Sequence, residues 1–241
     1  MSALYVYGIV DTGPPASLAD GQAVGGAPAD TIDWLTDSDL PVSAVVSPAP
    51  DDLRGKRRDL LAHQRVLDLL AEHGPVLPMR FGVVAPDEQT LLESLRGNAE
   101  RYTRLLRELA GRVELNVKAL PDEQQFIASA SNDPAVRSAL QAARRDGSHE
   151  RQVQLGQAVA TAVAQRRQLC GAQLLDRLHP LASRTATLAA GDKYVLNAAF
   201  LVERSAVDGF TDAVDELRAQ LSPAVDLVLT GPLPPYSFVG D

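Results

Sequence analysis

Val76-Leu-Pro-Met-Arg-Phe-Gly-Val83 carries apolar side chains at Leu77, Met79, Phe81 and Val83, while Pro78, Arg80 and Gly82 fall on the opposite face. A period of two over this length predicts a strand with one face in a core. Just downstream, Pro86 opens a helix with Asp87 and Glu88 in its first turn, where acidic groups complement the helix dipole. Leu91, Leu95, Tyr102, Leu105, Leu106 and Leu109 recur at helical spacing as far as Gly111. Val113, Leu115, Val117 and Ala119 then alternate with Arg112, Glu114, Asn116 and Lys118, which predicts a second strand. The stretch from 76 to 119 reads as a β-α-β unit.

A similar unit follows near the far end. Tyr194–Glu203 reads as a strand, Val207–Leu221 as a helix on Phe210, Val214, Leu217 and Leu221, and Val225–Thr230 as a strand. Two β-α-β halves predict an α+β fold in which a ferredoxin-like, four-stranded antiparallel sheet carries both helices on one face. Residues 132–190 between the halves read as helical almost throughout, with Asn132 or Asp133 and Ser148 as N-caps and Pro180 as a break. They are expected to form a helical insertion that projects from the sheet.

Upstream, Leu4–Val10 is apolar on both faces, the pattern of a strand covered on both sides. Residues 11–30 read as loop with a short strand near Gln22–Val24, Ser43–Ser47 as a short strand, and Asp51–His73 as a helix stopped by Gly74. The expected division is a small α+β domain at 1–74 and a ferredoxin-like domain at 75–231 with its insertion at about 132–190. A Pro-rich tail, 232–241, is expected to pack between them. The first unit is small for independent stability, so it is expected to cover the open face of the sheet.

Composition narrows the function. The 241 residues are 45% hydrophobic and 22% charged with a net charge of −8, so the chain is globular. Its acidity argues against binding nucleic acid or an anionic membrane. Cys170 is the only cysteine, which excludes an intrachain disulfide and fits a reducing compartment. The first ten residues lack the basic region of a secretory signal, and no apolar run is long enough to span a bilayer. A cytoplasmic location is the expectation.

Templates for chemistry go unfilled. His63, His73, His149 and His179 form no HExxH or H-x-H pattern, no G-x-S-x-G elbow is present, and the glycines of Gly21–Gly26 lack P-loop spacing and its lysine. No catalytic residue, cofactor or metal site is therefore expected. His63 lies between Leu60 and Leu67 on an apolar stripe and reads as a hydrogen-bonded packing residue; Cys170, within a helical stripe, reads as inert. Arg80 is expected to be partly buried mid-strand, and a buried charge must be paired. Glu114 and Asp226 are its expected partners in a structural ion pair, with Asn197 between them; an anion-binding arginine is the functional alternative. The tail, Gly231-Pro-Leu-Pro-Pro-Tyr-Ser-Phe-Val239, is extended by its prolines yet presents Leu233, Tyr236 and Phe238. With Pro234 and Pro235 these residues are expected to dock, either between the units or on a partner; the first reading is preferred because a pre-stiffened segment loses little entropy on binding.

Leu4-Tyr-Val-Tyr-Gly-Ile-Val10, the helix with His63-Gln64, Val76-Leu-Pro-Met-Arg-Phe-Gly82, Gly111-Arg-Val-Glu-Leu-Asn-Val-Lys118 and Gly231-Pro-Leu-Pro-Pro-Tyr-Ser-Phe238 together resemble the gas vesicle protein GvpF/GvpL family. The resemblance runs over nearly the whole chain in the family's order. It implies a structural or accessory protein of gas vesicles that binds the hydrophobic shell protein and other gas vesicle proteins during assembly. It brings no catalytic residues. Two readings compete: a small-molecule enzyme or sensor using an inter-domain cleft around Arg80, and a regulatory adaptor unconnected with gas vesicles.

Overall fold

In the first unit the expected strand at 76–83 is cut short, and this decides the architecture. The computed structural model describes residues 3–12, 23–26, 31–53, 55–189 and 191–240. Its fold is α+β, with one sheet in each of two units: residues 1–114 together with 232–241, and residues 115–231. The division falls between Glu114 and Leu115 rather than near Gly74. The reason is strand pairing. The segment at 76–78 lies antiparallel to the opening strand, with Leu77 opposite Ile9, and so belongs to the first sheet.

The first unit comprises β1 (Leu4–Asp11), β2 (Asp33–Leu35), β3 (Val42–Pro48), α1 (Arg57–His73), β4 (Val76–Pro78), β5 (Val84–Ala85) and α2 (Glu88–Leu109). The sheet order is β2-β3-β1-β4, with β5 also pairing with β1. Central β1 is buried from Tyr5 to Ile9, which accounts for its apolar residues on both faces. A Cβ on Gly8 would come within 2.9 Å of the Leu77 carbonyl oxygen, so glycine permits β4 to approach. Ala62, Val66, Leu67 and Leu70 form the buried face of α1. Residues 23–26 form a turn closed by Gly26 N–H on the Ala23 carbonyl at 3.1 Å, not a strand; Gln22 lies outside the described residues.

The second unit holds most of β6 (Arg112–Pro121), then α3 (Glu123–Ala130), α4 (Pro134–Arg145), α5 (His149–Leu178), β7 (Arg184–Thr187), β8 (Leu196–Glu203), α6 (Val207–Leu221) and β9 (Val225–Leu233). The sheet order is β7-β8-β6-β9. Counted along the chain this is second, third, first, fourth, with helices after the first and third strands. That is the ferredoxin-like connectivity. Its frame, however, is displaced from the expected one. The first strand is β6 instead of the segment at 76–83, and α3–α5 are the first crossover of the sheet instead of an insertion. The edge strand β7 occupies residues expected to be helical.

Asp122, Asp133 and Ser148 precede the three crossover helices. The first two accept the backbone N–H groups of Gln125 and Ala135 at 3.0 and 2.8 Å, while Ser148 makes no side-chain cap. α5 ends at Leu178, just before Pro180. The core joins Leu115 and Val117 of β6 to Leu174 and Leu178 of α5 and to Phe200, Phe210, Val214 and Leu227. The Phe200 and Phe210 rings lie 5.2 Å apart. Ala130, Val136 and Ala162 form a smaller cluster joining α3, α4 and α5.

Candidate functional site

The buried polar cluster of the first unit is assembled by three local events. Alternation along β1 puts Tyr5 and Tyr7 on one face, both fully buried. Helical spacing on α1 turns His63 toward that face. After β4, a turn from Arg80 to Val83, with Gly82 at φ +94°, brings Phe81 into the same cluster. Gly82 N–H then reaches the Tyr5 hydroxyl oxygen at 3.3 Å, and Tyr5 and His63 Nδ1 are 2.8 Å apart. His63 Nε2 lies 3.0 Å from the Met79 carbonyl oxygen. A carbonyl only accepts, so Nε2 carries the proton and Tyr5 donates to Nδ1. Tyr7 accepts from Val24 N–H at 2.9 Å and shares a hydrogen bond with Ser47 at 3.1 Å.

These groups are held in the forms they have at neutral pH. Burial pushes Tyr5 up to about 12, opposed by the Gly82 hydrogen bond. Burial likewise raises Tyr7 and lowers His63, in the latter against the Met79 hydrogen bond. Both imidazole nitrogens are engaged, so His63 has no free lone pair to act as a base. The cluster ties β1, α1 and the turn together.

Beside it lies the closing segment, 232–240. Pro234, Pro235 and Phe238 are buried, Leu233 is half-buried, and Tyr236 packs against the core of the first unit. The Tyr236 hydroxyl donates to Gln64 Oε1 at 3.2 Å. Glu114, 2% exposed, receives Ser237 twice: N–H on Oε2 at 2.7 Å and the hydroxyl on Oε1 at 2.8 Å. Arg101 Nη2 donates to the Val239 carbonyl at 3.3 Å. Burial raises the Tyr236 phenol, and the charges of Asp68 and Glu114 act in the same direction.

The expected site residues therefore have different roles. Arg80 is exposed in the turn, because β4 ends at Pro78, and among the described residues its guanidinium makes no ion pair. Asp226 is exposed on β9. Glu114 is buried and accepts two hydrogen bonds from the serine of the closing segment. Asn197 donates to the Ala189 carbonyl at 2.9 Å. Sequence reading missed the Glu114–Ser237 pair; alternation placed Glu114 on the polar face of its strand, and nothing local pointed to a partner 123 positions away.

In the second unit a groove of about 540 Å³ runs along α5 from Ala162 to Gln173 and is floored by Phe126, Leu169, Cys170, Leu221 and Val225. Leu169 is 62% exposed, and Ile127 on neighbouring α3 is 52% exposed. Burial raises the Cys170 thiol, which leaves it un-ionised at neutral pH. Among the described residues no group of three or more His, Cys, Asp or Glu could hold a metal ion, and no helix is long and apolar enough to cross a membrane.

The family model described as gas vesicle synthesis protein GvpL/GvpF matches residues 3–240. The chain belongs to the GvpL/GvpF family. It is 40% identical to gas vesicle protein F of a Streptomyces species over 98% of both chains. It is 31% identical to gas vesicle protein F2 of Halobacterium salinarum, over 99% of this chain and 92% of that one. The crystal structure of GvpF from Anabaena superposes with a TM-score of 0.83 at 23% identity, over 100% of this chain and 99% of that one. GvpF from Microcystis aeruginosa gives 0.80 over the whole of both chains. The family is one of gas vesicle proteins and not a known enzyme family. The Tyr5–His63 cluster and the Glu114–Ser237 pair lie in the first unit of this GvpL/GvpF-family fold.

Proposed function

We propose that this protein acts in gas vesicle assembly by binding the hydrophobic shell protein and other gas vesicle proteins, without catalysing a reaction. Its proposed location is the cytoplasm and the gas vesicle itself. The observation that carries the reading is the family match from residue 3 to residue 240. The geometry supports it in two ways. The buried polar cluster spends its hydrogen-bonding groups on fold contacts, so reactive chemistry has no free group there. The groove along α5 presents Leu169 to solvent, Ile127 is exposed on α3, and exposed apolar surface of this kind suits an apolar protein partner.

Purified protein mixed with the shell protein, alone and with other gas vesicle proteins, tests the proposal. Co-sedimentation with the wild type, lost in Leu169→Glu, is expected. No association in any combination would sink the binding role. Deleting the gene in a gas-vesicle-forming cell and imaging by electron microscopy tests assembly separately, since intact shells in normal number would leave the protein without a part in their formation.

A further inference from the structure

The closing segment sits in the first unit as a ligand sits in a site. Gln64, Arg101 and Glu114, which hydrogen-bond it, belong to that unit, while Gly231, which precedes it, belongs to the other. Glu114 is the centre of the seat. A buried carboxylate is costly unless its oxygens are satisfied, and Ser237 supplies an N–H to one oxygen and an O–H to the other. The prolines hold the backbone extended before binding, so little entropy is lost in ordering it. Phe238 is buried, and Tyr236 joins the core while its hydroxyl reaches Gln64.

We propose that this seat is a peptide-recognition site for a Pro-Pro-Tyr-Ser-Phe segment, and that residues 234–238 of a second copy can occupy it in place of the chain's own. The contacts do not depend on which molecule supplies the peptide. What favours the chain's own segment is the tether, equivalent to an effective concentration of ~1 mM. Where copies are crowded to that level, exchange competes. Reciprocal exchange closes a two-fold pair, and one-way exchange leaves an open row. The acceptor also sets specificity. A carboxylate accepts both hydrogens of Ser237, a carboxamide oxygen offers poorer charge to the same pair, and an acidic side chain in place of serine is repelled.

The test uses the full chain and a fluorescent peptide of residues 232–240. Ser237→Ala in the full chain weakens the resident segment without altering the seat. Peptide anisotropy should show binding on the order of tenfold tighter to this variant than to wild type, since the tethered competitor has been weakened. Glu114→Gln should abolish it, and a peptide with Asp at the serine position should not bind. A folded Ser237→Ala chain that ignores the wild-type peptide overturns the proposal. Should that variant fail to fold, wild type alone decides. Sedimentation at rising concentration should reveal a dimer that excess peptide disperses, and a monomer throughout, or a dimer indifferent to peptide, overturns it.

Discussion

Both nitrogens of His63 are committed, one to Tyr5 and one to Met79, and burial lowers its affinity for a proton. A group whose folded pKa is depressed contributes stability above its unfolded pKa and loses it as pH falls toward the folded value. For an imidazole that window opens below about 6.5. Stability should therefore decline from pH 7 to pH 5, ahead of carboxylate protonation. Urea midpoints at the two pH values check this, and in His63→Gln the difference should shrink; an unchanged difference would assign the effect elsewhere. Glycine offers a second contrast at the same scale. A Cβ on Gly171 would lie 2.1 Å from the Val195 carbonyl oxygen, which forces backbone apart. Gly171→Ala should cost about 2 kcal/mol or more, of the order of an overpacked core. Gly156, in the same helix, has nothing within 4 Å of its would-be Cβ. There Gly→Ala should stabilise by about 0.5–1 kcal/mol through helix propensity and the unfolded state. Chemical denaturation of the pair tests both signs.

Helices α2 and α6 were legible from the helical spacing of their apolar residues, and α6 runs from Val207 to Leu221 as that spacing requires. Capping tells why α2 begins where it does. Asp87 accepts Thr90 N–H at 2.8 Å, and Asp87→Ala should cost about 1 kcal/mol, read from the denaturation midpoint. A variant as stable as wild type would show that the first turn holds without it. Strands were less legible. Met79, Phe81 and Val83 continue the alternation of Leu77, yet β4 ends at Pro78; Met79 N–H makes one more bond, to the Tyr7 carbonyl at 2.8 Å, and Gly82 takes a positive φ in the turn that follows. Short edge strands β2 and β7 carry too few residues for a pattern to register. The frame of the second sheet was hidden for another reason. Periodicity identifies a strand but not its neighbour, and Leu77 pairs with Ile9 rather than with β6. Once that pairing is known, α3–α5 become the crossover.

At the scale of the molecule, the first unit is discontinuous, built from residues 1–114 and completed by 232–241. Phe238, 3% exposed, is the largest apolar contribution of the second piece to be fully buried. Phe238→Ala should cost about 3–5 kcal/mol, the usual range for emptying a buried aromatic site. Hydrogen exchange at β1 and β3 amides should accelerate accordingly; unchanged protection would mean that the closing segment adds nothing to the first sheet.

That discontinuity has a consequence in time. At roughly 5–20 residues per second, a ribosome needs on the order of ten seconds to add what separates the two pieces, Leu115–Gly231. Throughout that interval the nascent first unit waits without Ser237 on its Glu114 carboxylate, open to chaperones or to a neighbouring polypeptide, while the intervening unit is still emerging.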